Sequence, residues 1–191
     1  MSTISIIGTG NMGQAIAAVA GRGNHTVQLI GQGDTDTQVI GDVVVLAVPY
    51  PALSAVIAER GASLAGKVVV DITNPLNFET FDSLVVPADG SAAAEVAAAL
   101  PDSKVLKAFN TTFAGTLASG TVGNETTTVL IAGDDADAKS TLAGIVTSGG
   151  LKAVDAGALK RARELEAIGF LQLTLAAGEK ITWTGGFATI A

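Results

Sequence analysis

The residues best suited to chemistry lie near the start of the chain: Gly8-Thr9-Gly10-Asn11-Met12-Gly13. They fit the pattern G-x-G-x-x-G. The first glycine permits a tight turn, the second lets a pyrophosphate approach the backbone, and the third lets a helix pack close to a strand. Alone the pattern is weak. Here it follows a β-branched run, "TISIIG" (3–8), and opens a helical pattern, "NMGQAIAAVAGRG" (11–23). That context makes it a strong signal for a dinucleotide site. The N–H groups of Thr9, Gly10, Asn11 and Met12 are expected to face the phosphates at the positive end of the helix.

The position that discriminates NAD from NADP comes about twenty residues later, at the end of the second strand. Ile30, Gly31, Gln32 and Gly33 stand there, within "QLIGQGDTDTQVIGD" (28–42). No carboxylate sits at the strand end to accept from a ribose 2′-hydroxyl, and Asp34 comes late. An acid at Gly31 would repel a 2′-phosphate, so its absence permits NADP. Gln32 and the backbone N–H groups of Gln32 and Gly33 could donate to that phosphate. No Arg or Lys lies nearby in sequence to balance its charge. These residues favour NADP over NAD.

Three later strand ends are expected to line the nicotinamide half: Ala47-Val48-Pro49, Thr73-Asn74-Pro75 and Phe109-Asn110-Thr111-Thr112. Asn74 and Asn110 are amides at the ends of apolar strands. They could bond a ribose or carboxamide, or cap their loops as Asx-turns. Tyr50, just after Pro49, is expected to wall the cofactor site.

No catalytic side chain is expected. Hydride transfer between two rings needs alignment and exclusion of water, and positioning can supply ~7–11 kcal/mol, while the cofactors carry the electrons. A dehydrogenase of small alcohols would need a His, Lys or Tyr to move a proton. The single His is His25, in "GRGNHTV", at the wrong end of a strand and read as a turn residue. Lys107 lies on a buried strand, where structural pairing is expected over catalysis. The chain has no Cys, which removes disulfides, thiolate catalysis and Cys-ligated metals. No metal site is expected.

These residues need a scaffold of alternating strands and helices. After 3–8 and 11–23 come a strand at 25–31, a buried strand at 42–49, a helix near 51–60 and a strand at 67–73. A long polar loop (74–90) follows, of a length usually tied to function. Then come an Ala-rich helix (91–101) and strands at 103–110 and 126–133. Asp134 and Asp135 are placed to cap a helix to about 148. A strand at 151–157 and a long helical pattern at 158–180 precede the tail "ITWTGGFATIA". The pattern predicts an α/β fold: a Rossmann-type, doubly wound, mostly parallel sheet. Only about ten residues separate the second strand from "VVVLAVP", whereas a parallel crossover needs roughly a dozen. The fold is therefore truncated after strand 2, which becomes a sheet edge. The expected order is 2-1-3-4-5-6, with the dinucleotide at the switch between strands 1 and 3.

The chain has 191 residues, 48% hydrophobic and 15% charged, enough for one domain with a sizeable core. The expected organisation is a dinucleotide-binding domain at 1–156 with a C-terminal helix and tail at 157–191, packed on the domain or on a dimer partner. The net charge of −7 disfavours nucleic acid and anionic membranes as partners. No apolar run reaches the ~20 residues that span a bilayer, and "MSTISIIGTG" lacks the features of a signal peptide. A cytoplasmic location is expected.

Several segments converge on one family: "IGTGNMGQAIA", "DVVVLAVPY", "GKVVVDITNPLN", "GSAAAEVAAALPDSKVLKAFNT" and "DAGALKRARELEAIGFLQLTL". In the same order along most of the chain, they resemble the coenzyme F420-dependent NADP oxidoreductases. The most specific parts are "KAFNT" and the run from Asp155 to Glu166. The resemblance implies NADP(H) as cofactor, hydride transfer to a deazaflavin (F420), a flavin or a similar small-molecule acceptor, and a C-terminal helical piece in a homodimer. The chain departs from the family at the 2′-phosphate position, where members often carry a basic pair. "GTGNMGQAI" also resembles pyrroline-5-carboxylate reductases, so an imine or carbonyl reductase is the alternative. A dinucleotide-binding sensor without turnover is a third reading. Lys160, Arg161 and Arg163, beside Glu164 and Glu166, are expected to form a solvated or interfacial face with intrahelical pairs.

Overall fold

The computed structural model describes residues 1–190; Ala191, the end of the expected tail, lies outside them. The elements run β1 (Thr3–Ile7), α1 (Asn11–Arg22), β2 (Thr26–Ile30), β3 (Val43–Leu46), α2 (Leu53–Leu64), β4 (Val68–Asp71), α3 (Ala92–Ala99), β5 (Lys104–Lys107), α4 (Ala114–Ser119), β6 (Thr121–Val122), β7 (Glu125–Thr126), β8 (Thr128–Gly133), α5 (Ala136–Ser148), β9 (Lys152–Gly157) and α6 (Ala162–Ala177). Seven strands form one sheet in the order β2-β1-β3-β4-β5-β8-β9, and β6-β7 is a separate hairpin. The first five are parallel. β8 runs antiparallel to β5 and parallel to β9.

β2 is the edge that the short 31–42 connection requires. No helix forms in that connection. It is turns: Asp34 N–H donates to Gly31 O (3.2 Å) and Thr37 N–H to Asp34 O (3.0 Å). The sheet pins it. Gln28 Nε2 donates to Gln38 O (2.9 Å), Ile40 N–H to Gln28 Oε1 (3.2 Å), and Gly41 N–H to Ser5 Oγ (2.8 Å).

Alternation along the strands sends side chains to two cores. Val43, Val45 and Leu106 pack with α1 (Ala15, Ile16, Val19, Ala20) and α5. Val44, Leu46, Val69 and Val105 pack with α2 and α3. Helix α4 and the 121–126 hairpin were not anticipated. Their elements hold only six and two residues, too few for a period to show. Asp135 caps α5, accepting from Ala138 N–H at 2.8 Å. Asp134 instead accepts from Leu159 N–H at 2.9 Å, tying the C-terminal segment to this corner. His25 is a turn residue, its Nδ1 accepting from Ser2 N–H at 3.1 Å.

Candidate functional site

The fingerprint loop borders two cavities at the carboxyl ends of the first strands. Gly8, Thr9 and Gly10 line the first, of about 510 Å³. Asn11 and Met12 line the second, of about 430 Å³. Gly8 has φ +116°, and a Cβ there would lie 2.1 Å from Ala47 O; a Cβ on Gly13 would lie 2.1 Å from Gly8 O. Both are needed by the fold. Gly10 is different, because a Cβ there would meet nothing within 4 Å. The open space lies at the start of α1, which has no side-chain cap and no acid in its first turn. Its amides and dipole are left for an anion.

Gly31, Gln32, Ala47, Val48 and Pro49 line the first cavity. Gly33 does not, and lies exposed within the Gly31–Asp34 turn. Tyr50 lines neither cavity. Its hydroxyl donates to Glu95 Oε2 at 2.8 Å, and burial together with that carboxylate pushes its pKa up to about 12. It braces α3 rather than walling the cofactor site.

The second cavity is lined by Asn74, Asn110, Thr112, Phe113, Leu173 and Trp183, among others. Asn74 and Asn110 do not form the Asx-turns that were the alternative; they pair with each other. Asn74 Nδ2 donates to Asn110 O (2.9 Å), and Asn110 Nδ2 donates to Asn74 Oδ1 (3.0 Å) and to Leu165 O of α6 (2.8 Å). These bonds fix which way the Asn110 amide faces and leave its Oδ1 buried with no partner. Phe109, just before it, holds φ 63° while fully buried, a conformation that costs about 1–3 kcal/mol for such a residue. That left-handed residue ends β5 and turns the chain. Gly169 of α6 permits the approach: a Cβ there would be 2.2 Å from Asn74 Oδ1.

Thr73 and Pro75 line neither cavity. Both are buried, because the chain leaving β4 folds over Lys107. Lys107 Nζ donates to Thr73 O (2.5 Å) and Asp71 Oδ2 (2.8 Å) and pairs with Glu166 Oε1 at 2.8 Å. All three charged side chains are fully buried. Lys107 is thus a structural pairing residue, as expected. Glu166 is not on a solvated face. Lys160, Arg161, Arg163 and Glu164 are exposed, and Arg161 pairs with Glu164 at 3.6 Å. Glu166 also accepts from Ala92 N–H (3.0 Å) and Ala93 N–H (3.3 Å) at the start of α3. Burial pushes its carboxyl above the ordinary range, against the pull of Lys107. Sequence reading placed it among charges at helical spacing. The contrary signal was its place beside Leu165, one turn before Gly169 and two before Gln172, on the buried face of α6.

Arg60 was also missed. It lies on the buried face of α2 with Leu53 and Leu64 and lines the first cavity beside Gly31 and Gln32. A charged residue at an apolar helical position was the available signal. Trp183 and Thr184 reach the second cavity from the tail, which no local pattern foretold. The long 74–90 loop closes on itself, with Leu76 bridged to Leu84 and Asn77 Oδ1 accepting from Glu79 N–H at 2.9 Å.

Residues 35–75 match the family model described as NADP oxidoreductase, coenzyme F420-dependent. The F420-dependent NADP reductase of Methanocaldococcus jannaschii is 33% identical over 162 residues, covering 82% of this chain and 72% of that protein. The chain belongs to the F420-dependent NADP reductase family. It is a family of NADP-dependent oxidoreductases. The chain is also similar to the rat metalloreductase STEAP3, at 39% identity over 106 residues, which are 55% of the chain and 20% of that protein. A candidate F420-dependent NADP reductase from Arthrobacter sp. FB24 has the same fold, with a TM-score of 0.86 over the whole of both chains at 23% identity. The two most specific of the family-like segments meet in the buried ion cluster, through Lys107 of "KAFNT" and Glu166 of the 155–166 run.

Proposed function

We propose that this chain moves hydride between NADP(H) and a deazaflavin (F420), a flavin or a similar ring acceptor. The observation that carries this reading is the lining of the second cavity. It is amide, hydroxyl and apolar, with no side chain among the described residues that titrates near neutral pH. Such a site suits a reaction that needs alignment without proton transfer. Reduction of an imine or carbonyl would need a proton donor, and this lining offers no acid to serve as one.

The residues present fit a dinucleotide. Gly8, Thr9, Gly10, Asn11 and Met12 would hold the pyrophosphate. Gly31 and Gln32 would hold the adenosine side, with Ala47, Val48 and Pro49 along the wall. The orphaned Asn110 Oδ1 would accept from a carboxamide, steadied by Asn74; Thr73 and Pro75 would act only by supporting that pair. The bound nicotinamide supplies the hydride. Phe113, Leu173 and Trp183 would exclude water beside it.

No described helix is long and apolar enough to cross a membrane. Helix α6 buries Leu165, Gly169, Gln172 and Ala176 against its own domain and leaves Ile168 and Leu171 exposed, with Trp183 and Phe187 beyond. That second face supports a homodimer, which sedimentation would detect.

The test is a screen of NADPH oxidation with F420, FMN, FAD, ferric chelates and quinones. F420 or flavin reduction is expected, with a change in the emission of the single Trp, Trp183. Oxidation by cyclic imines alone would move the assignment to the imine reductases. Binding without oxidation by any acceptor would sink the hydride-transfer reading.

A further inference from the structure

The first cavity holds a charge arrangement that the 28–42 stretch does not reveal by itself. Arg60 arrives from α2 and is only 8% exposed, rare for arginine unless it is paired. Its Nη1 donates to Thr37 O (2.8 Å) and its Nη2 to Asp34 O (2.5 Å). Glu59 Oε1 lies 3.2 Å from Nη2, on a half-exposed side chain. Arginine has five N–H donors, so the two carbonyls and Glu59 leave donors over. Arg60 lines the cavity beside Gly31 and Gln32, as does Glu59. The planar fork of Arg60 suits phosphate oxygens.

Asp34 works in the opposite sense. The Gly31–Asp34 turn swings its carboxylate back to the strand end, where Oδ2 accepts from Gly31 N–H at 2.7 Å. That oxygen would lie 3.3 Å from a Cβ on Gly31. The acid missing at the end of β2 is therefore restored by the turn. It holds the first amide that a phosphate at this corner would use, and it brings negative charge there.

We propose that Arg60 neutralises a 2′-phosphate on the adenosine ribose and that Asp34 opposes it, the two together setting the preference between NADP and NAD. A 2′-phosphate displaces the Asp34 carboxylate from Gly31 and gains the spare donors of Arg60. A 2′-hydroxyl leaves Asp34 in place and donates to it. The proposal rests on the dinucleotide reading above and is independent of the hydride acceptor.

The test is titration calorimetry of the whole protein with 2′,5′-ADP and 5′-AMP, which differ by the phosphate in question and carry no nicotinamide. Asp34→Asn is expected to raise the affinity ratio of 2′,5′-ADP to 5′-AMP by about tenfold, the value of one charge-assisted bond. Arg60→Gln is expected to lower that ratio about tenfold or more, and Arg60→Lys to recover part of it. An unchanged ratio in Asp34→Asn overturns the role of Asp34, whether or not the Arg60 variants fold. A ratio unchanged in folded Arg60→Gln, because both nucleotides weaken equally, makes Arg60 a loop brace and overturns its role. If neither fragment binds the unaltered protein, the dinucleotide reading itself fails.

Discussion

On the proposed adenosine side, the cleft wall is a turn-rich loop whose residues from Gln32 to Gln38 are exposed and which is held by side-chain bonds from Gln28, Ser5 and Arg60. On the proposed nicotinamide side, the wall is the ends of β4 and β5, braced by α6 through a fully buried Asp71–Lys107–Glu166 cluster. The exposed stretch of the first wall, Gln32 to Gln38, can exchange partners at little cost, because water replaces a bond lost there. The second cannot, because a buried charge without its partner has no solvent to turn to. Discrimination between related cofactors belongs on the first wall. Fixed alignment of a reacting ring belongs on the second.

Lys107→Met tests the rigid wall most severely. It strands two carboxylates in the core and should cost about 3–5 kcal/mol of stability, read as a large fall in the urea midpoint; a change like that of a surface lysine would show that the cluster does not brace the wall. Gly169→Ala comes next. Its Cβ would collide with Asn74 Oδ1 at 2.2 Å, with an expected loss of about 1–3 kcal/mol and weaker NADPH binding in the same titration. Gly10→Ala probes the seam between the walls. A Cβ there meets nothing within 4 Å, so stability should move by no more than about 0.5 kcal/mol. NADPH affinity should still fall about tenfold, or 1.4 kcal/mol, if the open space is where a pyrophosphate sits. Normal affinity would remove the fingerprint from the site.

The smallest effect is a pH slope. The Glu166 carboxyl is raised above its ordinary value of 4.5 by burial. A group raised on folding favours the native state below its unfolded value and loses that contribution as pH rises through the folded value. Part of the stability should therefore decline above pH 4.5, and Glu166→Gln should flatten that decline in urea titrations across the acid-to-neutral range. The two curves running parallel would mean that Lys107 fully offsets the burial.

Much of the rigid wall's backbone was legible. "DVVVLAVP", "KVVVDIT" and "KVLKAFN" read as buried strands because parallel strands covered on both faces are continuously apolar. The edge position of β2 followed from chain length alone. Asn110 was visible as an amide where an apolar run ends. Thr73 and Pro75 were misplaced as lining because a strand end does not show which way the chain turns next. Tyr50 was misplaced because its partner, Glu95, comes from a helix far along the sequence. Glu166 looked like one more surface charge, since helical spacing reports the face but not what covers it.

The sequence by itself determined the doubly wound sheet, the fingerprint turn and the crevice beside it. Glycine spacing, apolar runs and a connection too short for a helix are local quantities that leave few chain paths. Only the tertiary structure decided the charges. It brought Arg60 from α2 to the end of β2, turned Asp34 back onto Gly31, and buried Glu166 against Lys107. Electrostatic meaning depends on which groups meet and how much water remains between them, and residues distant in sequence settle both.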